Sequence, residues 1–118
     1  MSPPPDLRQR TKSYALRIIR LYRTLPRSGE ARVIGNQILR SGTSVGAQYR
    51  EACRAKSTRD FISKMEGSLG ELDETAYWLE LLEAAEIVPA ERLAALKQET
   101  EELIAIFVTS VKTAKRRK

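Results

Sequence analysis

The sequence predicts an all-α protein, an antiparallel up-down-up-down four-helix bundle, and three observations predict it. Apolar residues recur at helical spacing through most of the chain. Pro, Gly, Ser and Asp interrupt that pattern at three places, leaving four long segments. The connections are loops of about two to five residues, a length that favours antiparallel neighbours. At 118 residues, 42% of them hydrophobic and 31% charged, the chain is one soluble domain without internal repeats.

The first helix is expected to begin at Asp6, an N-cap following three prolines, and to stop before Pro26. Leu7, Tyr14, Ile18, Leu21, Tyr22 and Leu25 form its apolar stripe. The second is expected from about Ser28-Gly29-Glu30 to about Ala55, with Ala31, Ile34, Ile38, Val45, Tyr49 and Ala52 as its core stripe. Each interior glycine costs a helix roughly 1 kcal/mol, yet Gly35, Gly42 and Gly46 line one edge of that stripe, with Cys53 continuing the line. A seam of small residues admits another backbone closely, and the packing gained there offsets the cost. The alternative is a loop at Ser41-Gly42-Thr43-Ser44 splitting two shorter helices. Unbroken apolar phase favours one helix, and the seam is assigned to an oligomer interface.

Ser57-Thr58-Arg59-Asp60 reads as an acidic variant of the capping box, opening a third helix that runs to about Glu86. Phe61, Met65, Leu69, Leu72, Ala76 and Leu79 supply its core stripe. Tyr77, Trp78 and Leu81 project away from that stripe and are assigned to self-association, the alternative being that they cover the bundle end. The fourth helix starts at Pro89 and carries Leu93, Leu96, Thr100, Leu103, Phe107 and Val111 at near-heptad spacing. The expected organisation is a flexible segment over 1–5, the bundle over 6–111, and a basic tail over 112–118 that frays.

Composition excludes much chemistry. The chain has no histidine, so no Ser-His or Cys-His pair, His base or His-containing metal site exists. Neither a Walker loop nor a Gly-x-Gly-x-x-Gly appears. The reading is a non-enzyme without cofactor or metal. One cysteine excludes an internal disulfide, and Cys53 reads as a small packing residue rather than a nucleophile. No apolar run reaches the ~18 residues of a membrane span, and the N-terminus has no signal-peptide core. A cytoplasmic location is expected.

Charge is segregated along the chain. Residues 1–64 hold 14 Lys/Arg against 4 Asp/Glu, residues 65–102 hold 2 against 11, and residues 103–118 hold 5 against none. Opposite the first helix's stripe lie Arg10, Lys12, Arg17, Arg20, Arg23 and Arg27; opposite the second's lie Arg32, Arg40, Arg50 and Arg54. Arginine's planar fork donates two hydrogen bonds to a phosphate. With a pI near 9.8, these ten residues are the candidate surface for RNA or DNA backbone. No aromatic interleaves the row to stack on bases. The competing reading leaves these arginines solvated or neutralised by Glu66, Glu71, Asp73, Glu74 and Glu80 on the third helix of a neighbouring subunit, giving a structural scaffold without a nucleic-acid role.

The segments YRTLPRSGEARVIGNQILRSGTSVGAQYREA and STRDFISKMEGSLGELDETAYWLELLEAAEIV resemble the bacterial four helix bundle protein family, also called the 23S rRNA-intervening-sequence protein family. The resemblance covers roughly residues 12–110. Its most specific parts are Gln37 through Arg40, the run from Arg40 to Ala47, and Asp73-Glu74-Thr75 leading into Trp78-Leu79. Gln48 stands where relatives usually have Asn, and Gly70 where a charged residue is commoner. The resemblance implies a ring-like homopentamer and a connection to RNA. Through distant relatives, the accessory variability determinants of diversity-generating retroelements, it also implies a reverse transcriptase as partner. It brings no catalytic residues.

Overall fold

A computed structural model describes residues 6–117; the segment 1–5, expected to be flexible, and Lys118 lie outside the described residues. Those residues form four helices and no strand. Helix α1 (Leu7–Thr24) starts where the Asp6 carboxylate accepts the Gln9 N–H at 3.2 Å. It ends at Leu25, which turns extended ahead of Pro26 because a helical conformation there would clash with the proline ring. Helix α2 (Gly29–Cys53) opens on Gly29 at φ +59°, a left-handed conformation that glycine alone adopts without strain.

Helix α3 (Thr58–Ala84) is capped reciprocally. Ser57 Oγ accepts the Asp60 N–H at 3.0 Å, and Asp60 Oδ2 accepts the Lys56 N–H at 3.2 Å. The expected capping box is therefore present, with its return bond one residue earlier. The C-terminus falls at Ala84 rather than Glu86 because Glu86 is itself left-handed, at φ +59°. Ile87 N–H then reaches Leu82 O and Glu86 N–H reaches Glu83 O, a Schellman closure with Glu in the usual glycine place. Helix α4 (Ala90–Arg116) follows Pro89 and corrects another expectation. Lys112 to Arg116 extend the helix instead of fraying, since Ala114 and Val111 keep the last turns packed on the core.

Consecutive helices pack on one another, α1 on α2, α2 on α3 and α3 on α4. On α4 the buried set is the predicted one, Leu93, Leu96, Thr100, Leu103, Phe107 and Val111. On α3 the stripe is rotated. Ile62, Met65, Ser68, Leu72, Thr75, Leu79 and Leu82 are buried, whereas Phe61, Leu69 and Ala76 are half-buried at its edge. Small hydroxyl residues made the difference, because they sit in the core when their oxygens are bonded there. Ser68 Oγ donates to Val45 O at 2.6 Å, and Ser41 and Thr75 share a hydrogen bond of 2.7 Å.

Helix α2 is unbroken through Ser41–Ser44. Thr43 and Ser44 donate back to the carbonyls of Leu39 and Arg40, so the polar cluster is satisfied within helical geometry. The glycine seam is real, but its occupant is α1 of the same chain. A Cβ on Gly42 would lie 2.7 Å from Ile18 Cγ1, one on Gly46 3.0 Å from Thr11 Oγ1, and one on Gly35 3.1 Å from Leu25 Cδ1. The assignment of Gly35, Gly42 and Gly46 to an oligomer interface is corrected accordingly: they admit α1 within the protomer. Cys53 does not extend the seam. It is exposed at the last turn of α2.

Two predictions follow from this packing. Gly42→Ala gains about 1 kcal/mol of helix propensity but overpacks against β-branched Ile18 by about 1–3 kcal/mol, so denaturant unfolding should show a net loss. Gly70→Ala, exposed with open space around its Cα, should gain about 1 kcal/mol in the same assay. Burial also pushes the Tyr14 phenol up to about 12, against a hydrogen bond of 2.7 Å with Thr100 Oγ1 that lowers it. A folded value raised above the unfolded one contributes stability that is complete below pH ~10 and lost as pH rises through the folded value. Unfolding free energy should therefore fall between pH ~10 and ~12, and Tyr14→Phe should flatten part of that fall. Tyr49, also pushed up to about 12 chiefly by burial, keeps the remainder.

Candidate nucleic-acid interface

The ten cations picked from helical projection separate into two groups in the folded chain. Arg10 and Arg40 are engaged with acids of neighbouring helices. Arg10 places Nε 2.8 Å from Glu99 Oε2 and Nη2 2.7 Å from both Glu99 Oε1 and Glu102 Oε1, tying α1 to α4. The Glu99 hydrogen bond is the main reason its guanidinium is held above the ordinary arginine value, with burial opposing. Glu102 is held below the usual carboxylate range, first by the hydrogen bond from Gln98 and then by Arg10. Arg40 bridges Glu71 at 3.3 Å and also contacts Glu74, tying α2 to α3. Its value is raised chiefly by the Glu74 contact. For these two residues, ion pairing within the protomer is the observed arrangement.

Lys12, Arg17, Arg20, Arg23, Arg27, Arg32, Arg50 and Arg54 form no ion pair among the described residues. All are exposed except Arg17, which is half-buried. Three acids that might have neutralised the row are spoken for or stand apart from it: Glu66 meets Lys115 at 3.3 Å, and Glu71 and Glu74 meet Arg40.

Folding also brings in residues that the projection missed. Arg92, from the acid-rich part of the sequence, joins Arg17 and Arg20 around a groove of about 280 Å³ between α1 and α4, where its Nη2 donates to Thr24 Oγ1 at 3.3 Å. Tyr22 lines a second hollow of about 390 Å³ together with Arg27 and Arg32. Tyr22 thus borders the basic row with its ring packed beside Gly35 and its hydroxyl bonded to Asn36 Oδ1 at 3.1 Å. Tyr22 was legible as a member of the α1 stripe; Arg92 carried no local signal, because it stands in the 65–102 block, where 11 Asp/Glu outnumber 2 Lys/Arg.

The aromatic patch on α3 is partly covered. Tyr77 is 52% exposed, whereas Trp78 and Leu81 are half-buried. The Tyr77 and Trp78 rings lie 5.2 Å apart in a tilted pair. Trp78 Nε1 is buried without a hydrogen-bond partner among the described residues. Gln48 Nε2 lies 3.4 Å from Glu71 Oε2, and its amide oxygen sits over Gly67, so this position joins α2 to α3. Among the described residues, no group of three or more Cys, Asp or Glu side chains is placed to hold a metal ion, and no helix is long and apolar enough to cross a membrane.

Residues 6–109 match the sequence model of the family described as 23S rRNA-intervening sequence protein. The chain belongs to that family. Among solved structures, a protein of unknown function from the S23 ribosomal protein family of Bacteroides thetaiotaomicron superposes with a TM-score of 0.84 at 38% identity. The superposition covers 89% of this chain and 97% of that one. No curated protein matches the chain. Membership in the 23S rRNA-intervening sequence protein family agrees with the resemblance read from the Arg40–Ala47 run and from Asp73-Glu74-Thr75, and with the four-helix architecture.

Proposed function

We propose that this protein is a non-catalytic, oligomeric helical bundle whose cationic surface holds the phosphate backbone of RNA or DNA. One observation carries the reading: most of the basic row has no acidic partner among the described residues, while the cations that tie helices together do. Unpaired guanidinium groups on adjacent helices present donors at the spacing of a charged surface rather than of a closed ion-pair network. The family's description, which refers to an intervening sequence of 23S rRNA, supports RNA as the first ligand to try.

The finer architecture belongs to this reading. The cross-helix contacts Arg40–Glu74 and Lys64–Glu51 support an up-down order for α2 and α3. Assembly into a homopentamer rests on the family resemblance, with half-exposed Tyr77 on α3 and Val33 on α2, 62% exposed, as the surface it would use. The glycines are not part of that surface.

Binding should be tested with a labelled RNA hairpin and a DNA duplex at low salt. Reversing Arg17, Arg20 and Arg23 to Glu is expected to weaken binding by about a hundredfold or more and to flatten its salt dependence. Immeasurable binding by the unaltered protein, or binding indifferent to the reversals, removes the reading. Assembly has its own test. Tyr77→Glu, at an exposed position, should leave helix content intact and lower the native mass toward that of one chain; an unchanged mass takes Tyr77 out of the interface.

A further inference from the structure

Because α4 stays helical to Arg116, its last turns meet the turn between α2 and α3 and leave between them an open cavity of about 630 Å³. That volume is within the ~300–1,000 Å³ of sites that take small molecules. Small side chains leave the space: Cys53, Ser110 and Thr113 line it, together with Phe61, Lys56 and Arg117, and among the described residues no carboxylate does. Two cations line it, Lys56 and Arg117, and neither forms an ion pair among the described residues; Arg59, next to the lining in sequence, forms none either. The nearby Asp60 carboxylate is occupied by the Lys56 backbone N–H.

An aromatic wall, hydroxyl groups and flanking cations in one concave site match the parts of a nucleotide. We propose that this cavity seats one nucleotide of a single-stranded nucleic acid, its base against Phe61 and its phosphate between Lys56 and Arg117. The proposal rests on the nucleic-acid reading above and adds a site at the end of the bundle, away from the row on the faces of α1 and α2. A base held at one place fixes the strand there, so the site orients a strand that the row alone would hold in any register.

The chain's single cysteine reports on the site directly. With the full-length protein and a labelled oligouridylate at low salt, saturating oligonucleotide should slow maleimide alkylation of Cys53 by about tenfold, since thiol reactivity follows access. Ser110→Leu combined with Thr113→Leu fills the cavity without changing charge. It should weaken oligouridylate binding by about tenfold while helix content and the binding of a DNA duplex to the row persist. If the unaltered protein binds neither nucleic acid, the functional reading and this site fall together. If it binds oligouridylate but Cys53 stays reactive and the filled variant binds equally well, the site alone is overturned.

Discussion

Everything in this bundle is registered by how closely α1 lies against α2. Ile18 occupies the gap left by Gly42, Thr11 the gap at Gly46, and Leu25 and Tyr22 the gap at Gly35. Side chains at these positions would push α1 outward, and the displacement would propagate, because α1 also meets α4 through Tyr14–Thr100 and Arg10–Glu99. The helix-propensity cost of glycine is thus offset inside the protomer by contact along two backbones. Buried hydroxyls fix the same register from the other side, through Ser41–Thr75 and Ser68–Val45 between α2 and α3. Such bonds have poor alternatives in an apolar core, so they specify alignment more than they add stability.

The electrostatics follow from that register. Where α1 meets α4 and α2 meets α3, acids and arginines face each other and pair. The Arg40 pairs, with Arg40 about half exposed, contribute little to stability, whereas Arg10–Glu99 is part-buried and doubly bonded. Their effect is to consume Glu71, Glu74, Glu99 and Glu102; with Lys64, Lys97 and Lys115 paired to Glu51, Glu83 and Glu66, the other cations form no ion pair among the described residues. A basic row on α1 and α2 and a basic end around α4 are what the pairing leaves over.

Much of this was legible in sequence. Four helices, their starts at Asp6, Ser28, Ser57 and Pro89, and the whole α4 core follow from capping chemistry and period, which are local properties. The α3 stripe was read with a rotation because Ser68 and Thr75 look polar when judged alone and are buried once bonded to α2. Left-handed Glu86 gave no warning of the α3 terminus, since that place normally calls for glycine. The continuation of α4 was missed for a similar reason: Lys and Arg dominate the tail, while Ala114 packs behind them.

For the functional surface the division is sharper. By itself the sequence determined the architecture, the family, the exclusion of histidine chemistry, and which faces of α1 and α2 are cationic. The family follows from the resemblance of the Arg40–Ala47 run and Asp73-Glu74-Thr75, and the rest from residue type and helical period. Only the tertiary structure decided that the glycine seam is closed by α1, that Arg10 and Arg40 are neutralised, and that Arg92 and Arg117 join hollows with partners distant in the chain. Arg10 meets Glu99 across 89 residues and Arg40 meets Glu74 across 34. A helical period repeats every few residues and carries no information about such separations; packing between helices selects those partners.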